Sequence, residues 1–318
     1  MPWKGEKDPY KIWISEIILQ QTRVQQGLGY YQRFISAFPD IKSLATAPEQ
    51  QVYKLWEGLG YYSRCKNLIA TARYIYNELE GIFPKEYESI LALKGIGVYT
   101  ASAISSFAYG LPHAVVDGNV FRVLSRYFGV TTPINTTEGK KRYSELAQQL
   151  LYKKDSAQYN QAIMDFGAVI CKPLSPLCSK CPLQKRCVAF LTNKVSQLPI
   201  NGKKINLRTR CFNYLVIEHK KKYLVRKRIG KDIWQNLFEF VLIETDTFLE
   251  KDELVKNETL LQFKNGHKWK VSFISKRISQ KLTHQILNGQ FVHIDSAEEF
   301  QPPSGYKWVT KKQIKLLP

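Results

Sequence analysis

The chain has 318 residues, 44% of them hydrophobic, and its 47 Lys and Arg exceed its 27 Asp and Glu to give a formal net charge of +20. This length is sufficient for two domains with cores of their own, and no run of about eighteen apolar residues is present that could span a membrane. So strong a positive charge favours nucleic acid as a partner, although a surface kept soluble by charge is the alternative.

The first part of the chain has the spacing of amphipathic helices. Apolar residues recur at intervals of three and four over residues 1 to about 190, and turn residues punctuate them. The predicted helices include Tyr10–Leu19, Gln50–Trp56, Asn67–Glu78, Tyr99–Tyr109 and Val120–Phe128. The pattern therefore predicts a mainly α N-terminal domain.

Glu16 stands in the first predicted helix, within the otherwise apolar stretch Trp13–Leu19. Burial of a carboxyl group disfavours its charged form and raises its pKa, so that Glu16 could act as an acid near neutral pH. A glutamate on the solvent face of the helix is the alternative interpretation.

Two glycines one residue apart, Gly95 and Gly97, lie in the segment Leu93–Ala101 between two predicted helices. Glycine permits a tight turn there, and the backbone N–H groups at the start of the next helix can bind a phosphate. This is the arrangement of a helix–hairpin–helix, which holds the DNA backbone without reading its sequence. A simple turn that ends a helix is the alternative for so short a pattern.

Asp117 follows an apolar run and precedes Gly118, at the start of another predicted helix. Its position after the glycine hairpin makes it a candidate functional carboxylate. Taken alone, Asp117 would be interpreted as a helix N-cap, which is a common role of aspartate.

Four of the six cysteines fall within seventeen residues, separated by six, two and five residues: Cys171, Cys178, Cys181 and Cys187. Such compact spacing is typical of one metal centre, and four thiolates suit either a structural zinc or an iron–sulfur cluster. We expect no secretory signal and hence a reducing compartment, which disfavours disulfides. The spacing alone leaves zinc and iron open.

The character of the chain changes after Cys187. Residues 193–210 are polar and basic, and the alternating pattern that follows predicts strands at 212–217, 223–225, 238–243 and 269–273, with a helix over Lys251–Gln262. We therefore expect a helical domain at residues 1–190, a linker at 191–210 and a smaller α+β domain at 211–318.

The chain resembles the helix–hairpin–helix superfamily of DNA glycosylases with an iron–sulfur cluster loop. The resemblance lies in the order and separation of three motifs: the glycine hairpin, the segment Val116–Val120 and the four cysteines. Within that superfamily, Ser15–Thr22 and Glu57–Tyr62 are similar to the adenine DNA glycosylase (MutY) family. The resemblance covers most of the chain. It implies one 4Fe-4S cluster on the four cysteines, and thus iron and not zinc.

The resemblance also implies catalytic roles. Glu16, protonated, would donate to adenine N7, while Asp117, ionised, would stabilise the positive charge that grows on the sugar, and Asn119 would orient a reacting group. Tyr99 stands where relatives similar to endonuclease III, which also cut the DNA strand, have a lysine. Without that amine no Schiff base forms with the sugar, so we expect a monofunctional glycosylase.

Further residues are expected, by the same resemblance, to contact DNA. Gly95 and Gly97 would hold a phosphate, and Gln21 and Tyr61 would fill the stack that the extruded adenine vacates. Lys4 stands where the family has an arginine, which keeps the charge but loses a bidentate donor.

The C-terminal region resembles the Nudix-like (MutT-like) domain that the family carries. It has no acidic Nudix box, so we expect it to recognise a base and not to hydrolyse a nucleotide. The turn at Leu282, Thr283 and His284 matches a Phe-Ser-His turn that contacts 8-oxoguanine in the family. The leucine is a departure, and Thr283 and His284 remain candidates for DNA contact.

Together these features predict a base-excision-repair enzyme that hydrolyses the N-glycosidic bond of adenine opposite 8-oxoguanine or guanine in double-stranded DNA. We expect a monomer without membrane association, in the cytoplasm near the nucleoid, of a bacterial type. The alternatives are an endonuclease III-like enzyme acting on oxidised pyrimidines, a mismatch thymine glycosylase, a catalytically inactive DNA-binding module and a zinc-dependent transcription factor.

Overall fold

The computed structural model describes residues 4–202, 206–264 and 267–318. The chain divides into two compact units. The first consists of Met1–Ala47 and Arg64–Lys203, and the second of Pro48–Ser63 and Lys204–Pro318. The second unit thus takes a segment from the helical half, whereas the sequence predicts one boundary near residues 191–210. In the described part of the chain, no helix is both long enough and apolar enough to cross a membrane.

The N-terminal half is helical, as predicted. Its helices are α1 Pro9–Leu19, α2 Val24–Ala37, α3 Ile41–Thr46, α4 Glu49–Trp56, α5 Tyr62–Glu78, α6 Tyr87–Leu91, α7 Val98–Tyr109, α8 Gly118–Phe128, α9 Thr137–Leu150, α10 Ser156–Val169 and α11 Val188–Leu191. Short 3₁₀ turns occur at Lys153–Asp155, Cys178–Lys180 and Gln184–Arg186. Helix α4 belongs to the second unit and the remaining helices lie wholly or mainly in the first.

Helix α1 is buried on almost every side. Asp8 caps its N-terminus by accepting a hydrogen bond from Tyr10 N at 2.9 Å, and Pro9 occupies the first turn, where a missing N–H has no cost. Its residues Ile12 to Ile18 are all buried. Burial on all sides is expected, because this helix has apolar residues around its whole circumference. It packs against α7 and α2.

Helix α8 starts at the Asp117 cap and ends at Gly129, whose left-handed conformation terminates it. One face packs against α10 and α11. Its apolar side joins a core cluster of the first unit made of Val120, Leu124, Val130, Tyr143 and Ala147. The start of α8 is therefore held in place by packing along the whole helix.

The second unit is built on a mixed sheet. Its strands are β1 Arg208–His219, β2 Lys222–Lys227, β3 Phe238–Glu239, β4 Val241–Thr245, β5 Trp269–Ile274, β6 Ile278–Lys281, β7 Gln285–Ser296 and β8 Tyr306–Thr310, and its C-terminal helices are α12 Lys251–Lys256, α13 Glu258–Lys264 and α14 Lys311–Ile314. The sheet order is β3-β2-β1-β7-β5, with β1 and β7 parallel and the other pairs antiparallel.

The predicted α+β character of this region is confirmed, with differences in detail. The helix expected over Lys251–Gln262 is two helices, because Asn257 adopts an extended backbone conformation between α12 and α13. The strand expected at 238–243 is likewise divided into β3 and β4. Buried apolar residues from β1, β7 and the two helices, including Leu215, Ile217, Leu254 and Val292, form the core of this unit.

Candidate active site and cysteine loop

A pocket of about 570 Å³ in the first unit is lined by the end of α1 and the residues that follow it, the starts of α7 and α8, and one face of α10. It brings together five of the residues that the sequence singles out: Glu16, Gln21, Tyr99, Asp117 and Asn119. These residues are far apart in the sequence, and the packing of α1 against α7 brings two of them together. The two candidate carboxylates therefore share one cavity.

Glu16 is buried, with 7% of its surface exposed. Burial raises the pKa of its carboxyl group to about 7, and the charge of Asp117 acts in the same direction, while a hydrogen bond with Tyr99 opposes the shift. Burial, followed by the charge of Glu16, raises the pKa of the Tyr99 hydroxyl. Glu16 can therefore hold a proton close to neutral pH, as a general acid must.

Asp117 is both a helix cap and a wall of the pocket. Its Oδ1 accepts hydrogen bonds from the backbone N–H groups of Asn119 at 2.9 Å and Val120 at 2.8 Å. Its Oδ2 accepts a third from Asn119 Nδ2 at 2.7 Å. The capping interpretation of Asp117 is thus correct without excluding a functional one, because the cap fixes the carboxylate where it faces the pocket.

Asn119 is positioned by a residue that sequence reasoning misses. Arg122 Nη2 donates to Asn119 Oδ1 at 2.7 Å and to the carbonyl of Gly167 at 2.7 Å, and Arg122 Nε donates to the carbonyl of Cys171 at 2.7 Å. Gly167 permits this approach, since a Cβ there would lie only 2.7 Å from Asn119 Cβ. A hydrogen-bonded chain therefore runs from Asp117 to the first cysteine of the loop.

The wall opposite α8 comes from α10, where Gln161 and Asp165 face the pocket. Gln161 Nε2 donates to Asp165 Oδ1 at 3.0 Å, and Lys4 Nζ forms an ion pair with Asp165 Oδ2. The structure therefore places Lys4 against a residue of the pocket wall, in an ion pair that the sequence does not predict.

The glycine hairpin joins α6 to α7. Gly95 has φ +79°, and a Cβ there would lie 2.6 Å from Asn67 Cβ, so only glycine fits. Gly97 begins α7 at φ −102°, and a Cβ there would meet nothing within 4 Å. The start of α7 is thus open, and its N–H groups can meet an anion.

Two predicted DNA contacts have unusual backbone conformations. Gln21, at the pocket, has φ 56°, and Tyr61, in the second unit, has φ 47° and is 42% exposed. Left-handed conformations cost energy in residues other than glycine and occur preferentially at functional sites. Tyr61 Oη and Thr283 Oγ1 share a hydrogen bond of 2.6 Å, and His284 is exposed beside Thr283.

The four cysteines line one small cavity of about 30 Å³. Arg126, only 3% exposed, donates to the carbonyls of Lys172 at 2.7 Å and Pro173 at 3.1 Å, and its Nη1 lies 3.5 Å from Cys171 Sγ. Burial and then the neighbouring thiolates raise the pKa of Cys178. Four thiols that repel one another as anions, beside one buried cation, form a donor set that fits a cationic centre.

In the part of the chain that the structure describes, no three His, Cys, Asp or Glu side chains are arranged to hold one metal ion.

Arg122 and Arg126 could have been found from their spacing. They stand four residues apart and so share one face of α8, and both arginines are buried. A buried arginine needs several acceptors, which would have pointed to the carbonyls of the cysteine loop. No comparable signal marks Gln161 or Asp165, because their position on the pocket wall depends on how α10 packs.

The first unit, with its hairpin between α6 and α7, has the fold of a base-excision DNA glycosylase. Residues 14–150 match the family model described as "HhH-GPD superfamily base excision DNA repair protein", and residues 213–318 match the one described as "NUDIX domain". The chain is 37% identical to an adenine DNA glycosylase of Buchnera aphidicola subsp. Baizongia pistaciae, over 90% of this chain and 79% of the relative. The chain belongs to the adenine DNA glycosylase family.

Solved structures agree with this assignment of fold. A thermostable thymine-DNA glycosylase is 33% identical, with a TM-score of 0.56 over 60% of this chain and 88% of that one. A non-covalent endonuclease III–DNA complex is 20% identical, with a TM-score of 0.53 over 59% of this chain and 86% of that one, and shares the fold. The similar regions correspond in extent to the helical half of the chain.

Proposed function

We propose that the enzyme hydrolyses the N-glycosidic bond of adenine mispaired with 8-oxoguanine or guanine in duplex DNA, without cutting the strand. The observation that carries this proposal is the pairing, in one pocket, of a buried Glu16 whose pKa is about 7 with the Asp117 carboxylate. Adenine leaves poorly as an anion and much better once it is protonated. A neutral carboxyl can donate that proton, and an ionised carboxyl beside it can stabilise the positive charge on the sugar.

In the proposed reaction Glu16 transfers its proton to N7 of the extruded adenine as the bond between C1′ and N9 breaks. Asp117 stabilises the positive charge on the sugar or bonds briefly to C1′. Water then adds to C1′ and loses a proton, which restores Glu16 and leaves an abasic site. Asn119 holds Asp117 through its 2.7 Å hydrogen bond.

The absence of strand cleavage is proposed from the composition of the pocket. Among the described residues that line it there is no lysine, and Tyr99 occupies the position near Glu16. A phenol with a raised pKa is a poor nucleophile towards C1′ at neutral pH, and it cannot form a Schiff base. We expect strand breaks only after alkali opens the abasic site.

Recognition of DNA is proposed for both units. In the first, the hairpin glycines hold a phosphate and Gln21 enters the stack; in the second, Tyr61 contacts the DNA, and Thr283 and His284 contact the base opposite adenine. Left-handed conformations at Gln21 and Tyr61 and the Tyr61–Thr283 hydrogen bond support these roles. We also propose that the enzyme is a monomer and acts in the cytoplasm near the nucleoid.

We propose that Cys171, Cys178, Cys181 and Cys187 hold one 4Fe-4S cluster. When bound, the cluster would cross-link the loop that follows α10, which is a structural task, since hydrolysis of a glycosidic bond transfers no electron. Purified protein should be brown and contain about four irons per chain, while zinc in place of iron would reject the cluster. Cys178→Ala should lower the iron content.

The decisive experiment is a single-turnover assay on a duplex with adenine opposite 8-oxoguanine, with and without alkali. Wild type should release adenine, whereas Glu16→Gln and Asp117→Asn should bind the duplex but slow excision by about 10²–10⁴-fold. If intact, cluster-containing protein leaves adenine attached, the substrate proposal is wrong. Duplexes with mismatched thymine, the base named for the 33% identical structure, would then be tested next.

A further inference from the structure

A large groove lies entirely within the first unit. It is lined by the first part of α7, by residues 112–114 and by one side of α9. Its volume is about 1200 Å³, above the range of about 300–1,000 Å³ that is usual for a site holding one small molecule. Among the described residues that line it, only Gly97 and Tyr99 have a role in the proposed function. The groove therefore has room for an extended ligand that the proposed reaction does not account for.

The wall of this groove carries an excess of positive charge. Lys140, Lys141 and Lys153 are exposed there, against one carboxylate, that of Glu145. The ion pairs that the structure describes in the first unit involve other lysines, so none of these three is neutralised in that way. Such a groove attracts a polyanion.

The same groove has aromatic and apolar surface. The rings of Tyr87 and His113 are stacked with their centroids 4.2 Å apart and an angle of 10° between their planes, and both side chains are half-buried. Burial lowers the pKa of His113, so its ring is mostly neutral at pH 7. Val98, which is 57% exposed, and Phe121 extend this surface. Proteins that bind single-stranded nucleic acid combine such rings, on which bases stack, with cations that follow the backbone.

Gln148 holds two walls of the groove together. Its Oε1 accepts a hydrogen bond from Ala114 N at 2.9 Å, and its Nε2 donates to the carbonyl of Pro112 at 2.7 Å. The segment that carries His113 is thereby fixed to α9, the helix that carries Lys140 and Lys141. The aromatic stack and the lysines are therefore positioned before a ligand arrives, which lowers the cost of binding.

The groove adjoins the proposed active site. Gly97 and Val98, at the start of α7 where a phosphate is expected, line it, and Tyr99 and Val116 line both the groove and the pocket that contains Glu16. A strand whose phosphate is held at the start of α7 can continue into the groove. A paired duplex keeps its bases stacked on one another, which leaves the rings of the groove without a partner. Unpaired nucleotides would contact both the rings and the lysines.

We propose that the groove between α7 and α9 binds a short unpaired segment of a DNA strand, next to the nucleotide held in the active-site pocket. The inference rests on the proposed function for DNA as the partner, but not for the identity of the excised base. It adds single-stranded DNA, as found at a gap beside the mispair, to the ligands of the protein.

The test is fluorescence anisotropy of the full-length protein with two labelled chains of equal charge. One is an oligothymidylate of about twelve nucleotides, a length within the range of single-strand sites, and the other is an abasic deoxyribose-phosphate chain of the same length. Wild type should bind the oligothymidylate about tenfold more tightly, because only its bases can stack. Tyr87→Ala should lose most of this difference, whereas Tyr74→Ala, which removes an exposed ring from α5, should keep it.

The lysines are tested by the dependence of oligothymidylate binding on salt. Each contact between a lysine and a phosphate contributes about 0.7 to the slope of log Kd against log salt concentration for a single strand. Lys141→Gln should therefore lower the slope by about 0.7 and Lys140→Gln/Lys141→Gln by about 1.4. Lys42→Gln, which removes an exposed charge from α3, should leave it unchanged.

A fully paired duplex with adenine opposite 8-oxoguanine separates this inference from the proposed function. All the groove variants should bind that duplex and excise its adenine as wild type does. On a duplex with a gap beside the mispair, wild type should bind more tightly than on the paired one, and Lys140→Gln/Lys141→Gln should lose this gain.

Three outcomes would overturn the proposal. The abasic chain binds wild type as tightly as the oligothymidylate; the lysine variants keep the wild-type salt slope; or they lose paired-duplex binding in the same proportion, which would make the groove a surface for duplex DNA. If Tyr87→Ala does not fold, the comparison of the two chains on wild type and the lysine variants still decides. Adenine excision from the paired duplex would stand in each of the first two cases, so the inference can fail without the proposed function failing.

Discussion

The carboxyl group of Glu16 sets the pH range of the proposed reaction. Its pKa of about 7 means that the proton-donating form predominates below pH 7 and is lost above it. We expect the single-turnover excision rate to be nearly constant on the acid side and to fall about tenfold per pH unit above pH 7. The residual rate of Glu16→Gln should not show this decline. A wild-type rate that stays constant up to pH 9 would contradict the role of Glu16 as the acid.

The same burial predicts an effect on stability. The pKa of this carboxyl is about 7 in the folded protein and about 4.3 in the unfolded chain. As the pH rises from about 4.3 to 7, the unfolded chain releases the proton while the folded protein retains it, so the free energy of unfolding falls over this range. Glu16→Gln removes this cost. Its free energy of unfolding relative to wild type should increase by about 1–3 kcal/mol between pH 5 and pH 8.

Urea unfolding at the two pH values measures that difference. Glu88→Gln, which removes an exposed carboxyl of the first unit, controls for the loss of one negative charge. If the Glu16→Gln curve runs parallel to wild type from pH 5 to pH 8, the carboxyl does not carry the raised pKa that its burial implies.

At the scale of the element, the N-terminus of α8 combines capping with chemistry, and substitutions can separate the two. Asp117→Asn keeps an oxygen that accepts from the first turn, whereas Asp117→Ala removes the cap and should cost a further 1 kcal/mol or so. Both variants should lose excision. The matched control is Asp155→Ala, which removes the cap of α10, where Asp155 accepts from Gln158 N at 3.1 Å.

Melting temperature and single-turnover rate, measured on all three variants, distinguish the roles. Asp155→Ala should melt lower and excise adenine at the wild-type rate. An Asp117→Asn protein that retains full excision would leave capping as the only role of Asp117.

The hairpin between α6 and α7 allows a similar separation with two glycines. Gly95→Ala should destabilise the protein by about 1–3 kcal/mol, since it places a Cβ against Asn67 and strains a backbone with φ +79°. Gly97→Ala should destabilise the protein less, by about 0.5–1 kcal/mol for alanine at the N-cap, because nothing lies within 4 Å of the added carbon. Its methyl group would nevertheless occupy the face proposed for a phosphate.

Fluorescence anisotropy with labelled duplex measures the second effect. Gly97→Ala should bind DNA several-fold more weakly than wild type at the same salt concentration. If it binds as tightly as wild type, the hairpin does not hold the backbone in the proposed way.

At the scale of the whole molecule, local patterns predict the helices and the positions of the candidate residues along the chain, but not which distant segments contact one another. The caps and apolar spacing of α1 and α8 are encoded by neighbouring residues, so both helices and the position of Asp117 follow from the sequence. The grouping of Glu16 with Asp117 came from the family resemblance. Neither the local patterns nor the family resemblance predicts the Lys4–Asp165 ion pair, because its two residues are 161 positions apart in the sequence.

The segment Pro48–Ser63 has long-range contacts that no local pattern predicts. It looks like any other amphipathic helix of the first half, yet it belongs to the second unit. Asn236 Nδ2 donates to Tyr53 Oη at 2.9 Å, and Lys54 Nζ donates to the carbonyl of Leu317 at 3.0 Å. These partners lie more than 180 residues further along the chain, which no periodicity within α4 reveals.

A fragment that ends at residue 203, within the predicted linker, should therefore have a lower melting temperature than the full chain. It keeps Pro48–Ser63 but lacks the partners of Tyr53 and Lys54, so Tyr53, 2% exposed in the full chain, becomes accessible to water. We expect a melting temperature about 4–8 °C lower, corresponding to about 2 kcal/mol, and faster hydrogen exchange in α4. Tyr53→Phe in the full chain, which removes only the hydroxyl, should give a small part of this loss. If the fragment melts with the full chain and keeps α4 protected, the segment draws its stability from the first unit, and the boundary near residues 191–210 is the better description.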